Sequence, residues 1–356
     1  MTSAPGRPHP AHTTPIHKMY YLDLISPQFR GERPTQAHRA QSWTIGVRAV
    51  AGSSQTRNLI RTLGRLHPSV MKDNLSHSVT AQGIIPPMQH LAFIGGGNMA
   101  SALIGGLRRQ GVHADQIHVV EPFAPTREAL LAAHGVQARE APDATLSQAH
   151  LVVWAVKPQV FKEAAEPVAP YTDKALHLSV AAGILTNSIA AWLRTERVVR
   201  AMPNTPALIG QGQTGLYART GVSQDDRLVV EQVMSGTGQH LWVDQESLLD
   251  AVTAISGSGP AYVFYFIEAM SRAAERMGMT PEQARQLSIG TFCGAAELAR
   301  RSTDSPATLR ERVTSKGGTT YAALTAMQAS HVADHFEQAM EAARLRAAEL
   351  GETFGR

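Results

Sequence analysis

The 356-residue chain is 43% hydrophobic and 17% charged, a globular balance with length enough for two domains that each bury a core. Its single cysteine, Cys293, excludes an internal disulfide and any cysteine-based metal site, and a reducing cytoplasm fits. No run approaches the ~18 apolar residues of a membrane span, and the formal charge of +4 is no argument for nucleic acid because it is unevenly spread.

Residues 1–87 hold ten Lys/Arg against three Asp/Glu, a balance of +7, which leaves −3 for the rest of a chain whose total is +4. This stretch is rich in Arg, His, Pro, Ser and Thr and shows no helical or strand period. It lacks the apolar core of a secretory signal and superficially resembles an organellar transit peptide. The composition predicts a poorly ordered basic extension, with Met88 as the functional start.

The globular part begins with an apolar strand, His90 to Ile94, followed at once by Gly95-Gly96-Gly97-Asn98-Met99-Ala100. Gly95, Gly97 and Ala100 match G-x-G-x-x-G/A, in which the first glycine allows a tight turn and the second lets backbone approach a pyrophosphate. The small third residue lets helix and strand pack closely. The glycine pattern alone is weak. It gains force from the strand before it, a helix running to about Gln110, and a second strand, Ile117 to Val120, that ends at the acid Glu121. Ile94, Gly95, Gly97, Asn98, Met99 and Glu121 are therefore candidate cofactor-binding residues.

The alternation continues. Thr126 to His134 reads as a helix, Leu151 to Val156 as a buried strand, Val160 to Ala169 as a helix and Ala175 to Val180 as a strand. Leu185 to Trp192 is helical and Arg197 to Met202 is a further strand. The pattern implies an α/β fold: an N-terminal Rossmann-type, doubly wound, mostly parallel sheet over residues 88–250. Ligands of such sheets sit outside the strands' C-terminal ends. Ala155, Val156, Lys157 and Pro158, and likewise Pro203 and Asn204, fall on that rim and join the cofactor-binding set.

From about residue 251 to 356 only helical patterns remain, read as a substrate and dimerisation domain. Tyr262 to Met277 carries Tyr262, Phe266 and Met270 at four-residue spacing, a core or interface stripe. Thr280-Pro281-Glu282-Gln283 is a helix start, with Thr as N-cap, Pro at N1 and Gln at N3, and Ser305-Pro306 begins another. Cys293 sits in an apolar helical pattern and reads as a buried, inert thiol. A last helix from about Tyr321 to Leu350 places Val332, Phe336 and Met340 on one face. So many apolar stripes on a purely helical tail call for a second copy of the chain.

Two turns of small, hydroxyl-bearing residues run into helices: Ser256-Gly257-Ser258-Gly259-Pro260-Ala261-Tyr262 and Val313-Thr314-Ser315-Lys316-Gly317-Gly318-Thr319-Thr320. Such turns offer unpaired N–H groups and hydroxyls at the positive end of a helix dipole, a receptor for a small carboxylate. With a nucleotide site upstream, they point to an oxidoreductase acting on a small acid. The nine His residues outside residues 1–87 show no metal-ligand spacing, and His331 and His335, four apart, read as a solvated helix face, so no metal site is expected.

Taken in order and spacing, Gly95 to Met99, Ala155 to Pro158, Arg200 to Ala207, Ser256 to Tyr262 and Ser315 to Thr320 resemble the pyrroline-5-carboxylate reductase family, over Met88 to about Leu350. The resemblance implies NAD(P)H-dependent reduction of 1-pyrroline-5-carboxylate to L-proline, the last step of proline biosynthesis, in the cytoplasm. It also implies a homodimer whose helical domains interlock and complete each substrate site, with larger rings of dimers usual in the family. On the same footing Thr320 is the catalytic hydrogen-bond partner of the imine nitrogen, aided by Ser315, while Ser315, Gly317, Gly318 and Thr319 cradle the carboxylate. Three residues depart from the family pattern: Lys316 in place of proline, Pro142 in place of asparagine and His150 in place of aspartate.

The cofactor is NADP or NAD. Glu121 would bond a ribose 2′-hydroxyl and repel a 2′-phosphate, favouring NAD, whereas Arg127 could pair with that phosphate. Two other classes share parts of this pattern: another imine or hydroxyacid reductase on the same architecture, and a non-catalytic dinucleotide-binding regulator.

Overall fold

In the computed structural model of the protein the described residues are 90–355, so the expectations for residues 1–87 lie outside them. The described residues form one eight-stranded sheet: β1 (Leu91–Ile94), β2 (Ile117–Val120), β3 (Ala138–Arg139), β4 (Leu151–Trp154), β5 (Leu176–Ser179), β6 (Val198–Met202), β7 (Gly212–Ala218) and β8 (Gly238–Trp242). The order is β3-β2-β1-β4-β5-β6-β7-β8. Strands β1 to β6 run parallel, β7 pairs antiparallel with β6, and β8 runs with β7. Strand order reverses between β1 and β4, which makes that crevice the switch point where ligands of doubly wound sheets bind.

β1, β4 and β5 are buried on both faces, as parallel strands between helical layers must be. Successive residues serve opposite sides. Leu91 and Phe93 join one core under α1 (Asn98–Arg109), α2 (Ala124–His134) and α5 (Gln224–Ser235). Ala92, Ile94 and Trp154 join the other, under α3 (Phe161–Val168) and α4 (Thr186–Leu193). The segment between 207 and 250, for which the sequence predicts no element, supplies β7, α5 and β8. Its glycines blur the strand period of β7, but the Ser223/Asp226 capping box that starts α5 is a legible helix signal.

The helical part comprises α6 (Leu248–Val252), a π-helical turn (Thr253–Gly257), α7 (Gly259–Arg276), α8 (Pro281–Arg301), α9 (Pro306–Arg312), α10 (Thr319–Ala329) and α11 (Val332–Phe354). Thr280 and Gln283 form the predicted box at α8, and the Ser305 hydroxyl accepts from Thr308 N at α9. The expected single last helix is two, because His331 adopts φ 52 and breaks the ladder between α10 and α11. Phe336 of α11 packs edge-on against Tyr262 and Phe266 of α7, with ring centroids 5.7 and 5.5 Å apart, so the first half of the aromatic stripe is half-buried against α11. Cys293 is exposed, contrary to its apolar surroundings in the sequence. Among the α8 side chains only Ala284 and Ser288 are buried, so Cys293 lies on a face that the single chain does not cover.

A buried polar junction ties the two parts together. Arg200, central in β6 and 2% exposed, donates to Glu246 Oε1 at 3.2 Å. The same carboxylate accepts from Thr186 N (2.8 Å) and Thr186 Oγ1 (2.6 Å), capping α4, whose own N-cap Leu185 has no acceptor. A charge inside a sheet must be paired, and an anion at a helix N-terminus meets the positive end of its dipole. Removing one member of a buried pair costs about 3–5 kcal/mol. Glu246→Ala should therefore lower the denaturant-derived stability by that order. A loss below about 1 kcal/mol, the range of an exposed pair, would show that Arg200 finds another acceptor.

His177 of β5 is buried, accepting at Nδ1 from Trp154 Nε1 (3.0 Å) and donating from Nε2 to Thr172 O (3.1 Å). Burial is the main cause that pushes its pKa down from 6.5 to about 4; the bond to Thr172 opposes the shift and Arg197 assists it. Because the unfolded chain binds this proton more readily, its contribution is whole above pH 6.5 and is lost as pH falls towards 4. The contribution is of order 3 kcal/mol. In a denaturation series from pH 7 to 4, His177→Gln should show a flatter decline than the parent; parallel curves would disprove this role.

Candidate active site

The site begins with three turns on the C-terminal rim of the sheet. Gly95 has φ +94, and a Cβ there would stand 2.6 Å from Ala155 O, so the first turn and the one after β4 touch through a position only glycine fits. Ala155 N in turn donates to Ile94 O at 2.8 Å. Ile94 itself is buried, with its side chain in the core. Gly97 is the N-cap of α1, with open space over its Cα and no side chain capping the helix. The first N–H groups of α1, at Asn98 and Met99, are thus unpaired beside an open, exposed cradle, which fits a pyrophosphate. Val156 and Pro158 are half-buried on the same rim and Lys157 is exposed.

Glu121 closes the far side of the cradle. Its carboxylate accepts from Gly96 N (2.8 Å) and Phe123 N (2.9 Å). Arg127 is turned to backbone, donating to Glu121 O (3.0 Å) and Pro122 O (2.6 Å), with Glu140 at 3.7 Å. The negative charge therefore stands beside the cradle while the nearby guanidinium is committed to backbone carbonyls.

Pro203 and Asn204 are buried at the end of β6. The Asn204 amide donates to Ser256 Oγ (3.1 Å) and Ser256 O (3.2 Å), and its Oδ1 accepts from Gln213 N (2.9 Å). Its side chain is a clasp between the sheet rim and the π-helical turn before α7, engaged within the protein. Met202 completes the contact: a Cβ on Gly257 would stand 2.6 Å from Met202 Cε. The hydroxyl-rich Ser256 turn is thereby set beside the nucleotide rim, as the motif order alone cannot show.

The second hydroxyl-rich turn has its own geometry. Gly318 N donates to Ser315 O at 3.0 Å and Gly317 has φ +74, which makes Ser315 to Gly318 a type II turn with Lys316 at the corner that suits proline. A Cβ on Gly318 would stand 2.5 Å from Ser315 Oγ, so the hydroxyl lies over the start of α10. Gly318 is the N-cap of α10 and no side chain caps it, which leaves the N–H groups of Thr319 and Thr320 free for an anion. Ser315, Lys316, Gly317 and Thr319 are exposed and Thr320 is half-buried. Among the described residues no hydrogen bond joins this turn to the nucleotide rim, so one chain assembles the cofactor cradle and the Ser256 clasp but leaves the Ser315 to Thr320 turn apart. Nor do the described residues contain a cluster of three or more His, Cys, Asp or Glu that could hold a metal.

One rim segment, at the end of the predicted strand Ala175 to Val180, is not singled out by any motif. Val180 to Gly183 follows β5, and Val180 N donates to Trp154 O at 3.0 Å, which makes it the next turn in the row after β1 and β4. Its place emerges only from the strand order.

The sequence pattern described as pyrroline-5-carboxylate reductase dimerisation matches residues 246–350, and that described as NADP oxidoreductase, coenzyme F420-dependent, matches residues 90–183. The pyrroline-5-carboxylate reductase of Pseudomonas aeruginosa is 46% identical over 267 residues, spanning 74% of this chain and 98% of that protein. That of Haemophilus influenzae is 42% identical, spanning 75% and 100%. The structure of a pyrroline-5-carboxylate reductase from Coxiella burnetii superposes with a TM-score of 0.70 at 36% identity, over 74% of this chain and 98% of that one. A Plasmodium falciparum pyrroline carboxylate reductase with NADP bound gives 0.66 at 26% identity, over 74% and 98%. With the switch-point cradle, the Ser256 clasp and the uncapped α10 turn all in place on such a chain, it belongs to the pyrroline-5-carboxylate reductase family.

Proposed function

We propose that the protein reduces 1-pyrroline-5-carboxylate to L-proline with NADPH or NADH, the closing step of proline biosynthesis, as a cytoplasmic enzyme. The observation that carries this reading is the pairing, on one chain of this family, of an open N–H-lined cradle at the sheet's switch point with an uncapped, hydroxyl-rich turn at α10. Bound at the cradle, the reduced nicotinamide supplies the hydride. Gly95, Gly97, Asn98 and Met99 would hold its pyrophosphate, Glu121 its ribose, and the Ala155 to Pro158 and Pro203–Asn204 turns its nicotinamide half.

The chemistry asks little of acid–base groups. Hydride adds to the imine carbon, which becomes electrophilic when the ring nitrogen takes a proton, and the nitrogen can do so in water near neutral pH. The protein's task is placement. Thr319 and Thr320 N–H groups, with Ser315 Oγ and the Gly317 backbone, would hold the carboxylate, Gly318 N being committed to Ser315 O within the turn, while Thr320 Oγ1 bonds the ring nitrogen. A hydroxyacid reductase would need a lysine acid/base in the helical part, and Ser256 to Met277 contains none.

The exposed cradle turn and the exposed apolar residues Phe264, Tyr265, Leu287, Leu298 and Tyr321 support a homodimer in which a second copy covers these faces and completes each site. Residues 88–250 then serve as the nucleotide domain and 251–356 as the substrate and dimerisation domain, with rings of dimers as the larger assembly. No helix among the described residues is long and apolar enough to cross a membrane.

Rescue of a proline-requiring strain by the full chain tests the reading. Failure to rescue, with stable protein present, would leave a related reductase or a non-catalytic dinucleotide binder. Within the enzyme, Thr320→Ala should lower kcat/KM by about tenfold or more, because a hydrogen bond to a charged group is worth ~1.5–3 kcal/mol. Cofactor affinity should hold. An alanine variant with parental kcat/KM would pass the role to Ser315 or to water. Glu121→Ser should raise the NADPH/NADH ratio of kcat/KM, since it removes the charge facing a 2′-phosphate. An unchanged ratio would show that Glu121 serves only to brace the Gly96 turn.

A further inference from the structure

We propose that the C-terminal end of α11 sets the position of the Val180–Gly183 turn, and through it the affinity for the nicotinamide cofactor, with Gly351 and Ser188 as positioning residues. The inference rests on the nicotinamide-dependent reading given above.

Glycine is unfavourable in a helix interior, so Gly351, buried in the last turns of α11, calls for a packing reason. The reason is close approach. A Cβ on Gly351 would stand 3.3 Å from Gly183 O, and a Cβ on Gly183 would stand 3.2 Å from Leu350 Cβ. Gly183 has φ +76, so its backbone has adopted a shape that other residues resist in order to meet the helix. Two further contacts seat the helix end there. Ser188 Oγ donates to Gly355 O at 2.6 Å, and Phe354 packs against the core that contains Trp154, Ala181 and Ile184.

The turn is in series with the cofactor cradle. Val180 N donates to Trp154 O (3.0 Å), Ala155 N donates to Ile94 O (2.8 Å), and Ala155 O lies against Gly95. Glu246 holds the other end of the turn through Thr186. A shift of Gly183 thus has no slack segment in which to dissipate before it reaches the cradle. At its opposite end the same 23-residue helix packs Phe336 on Tyr262 and Phe266, directly after the Ser256 turn. One rigid element therefore touches the rim and the helix that carries the clasp.

The test compares Gly351→Leu, Gly351→Ala, Ser188→Ala and Ser188→Thr with the parent. Dissociation constants of NADH and NADPH are titrated by cofactor fluorescence, KM for 1-pyrroline-5-carboxylate is taken at saturating cofactor, and melting temperature is recorded. Displacements approaching 1 Å cost up to about a hundredfold in positioned sites, so Gly351→Leu should weaken both cofactors by about tenfold or more. Gly351→Ala, which asks Gly183 to yield only a few tenths of an ångström, should stay within about threefold. Ser188→Ala should weaken both cofactors by about threefold, and Ser188→Thr should restore them, because it keeps the hydroxyl. Substrate KM should hold within about twofold in every variant, which a general loss of structure would not permit.

Cofactor constants equal to the parent's in Gly351→Leu, or cofactor and substrate constants rising together with a falling melting temperature, would overturn the proposal. If Gly351→Leu does not fold, the Ser188 pair decides: equal constants in Ser188→Ala and Ser188→Thr overturn it. A parent protein that binds neither cofactor would instead defeat the functional reading on which the proposal rests.

Discussion

Arg200 lies buried in β6, the strand at which the sheet turns antiparallel, and the need to pair it ties the two parts together. Its hydrogen-bonded anion comes from the connection after β8, where Glu246 reaches back beneath α4 and satisfies Arg200 and the Thr186 N-terminus together. Once Glu246 is held there, α6 must start within a few residues, and the π-helical turn falls beside the end of β6. Asn204 then finds Ser256. A π turn widens a helix locally and is common at functional sites; here it presents the Ser256 hydroxyl and carbonyl to the rim.

The rim is built from small residues rather than from ionisable ones. Gly95, Ala155 and Val180 follow one another across β1, β4 and β5, joined by backbone hydrogen bonds and by an approach that a Cβ would block. Such a surface lets a flat, charged cofactor lie against N–H groups with little side-chain motion. It suits a reaction whose proton can come from water and whose demand on the protein is geometric. The carboxylate that does stand at the cradle, Glu121, is held by two backbone N–H groups.

The helical part is unfinished in a single chain. α7, α8 and α10 expose large apolar side chains, Ser315 to Gly317 and Thr319 of the turn before α10 are exposed, and Cys293 lies open on α8. α11 also exposes Val332 and Leu345, but its two ends are held within the chain. It reaches from the aromatic cluster around Phe336 to Gly183 and Ser188, so the helical part is anchored at both ends of one long helix while its remaining faces await a second copy.

Most of the nucleotide half was legible in the residues themselves. Buried apolar runs such as Leu151 to Trp154 leave a strand no alternative, Gly95 and Gly97 allow what other residues forbid, and Thr280, Pro281 and Gln283 mark a helix start by local hydrogen bonding. These are short-range constraints, and they survive whatever the rest of the chain does. The motifs also carried the family, and with it a reading of Ser315 to Thr320. What distance in sequence hides is pairing. That β7 turns antiparallel, that Arg200 needs Glu246 46 residues on, that Asn204 clasps Ser256, and that Gly183 meets Gly351 are facts about which surfaces come together. No local period encodes them, because each partner alone is compatible with many neighbours. Only the packed sheet, with its strand order and its one long returning helix, decides among them.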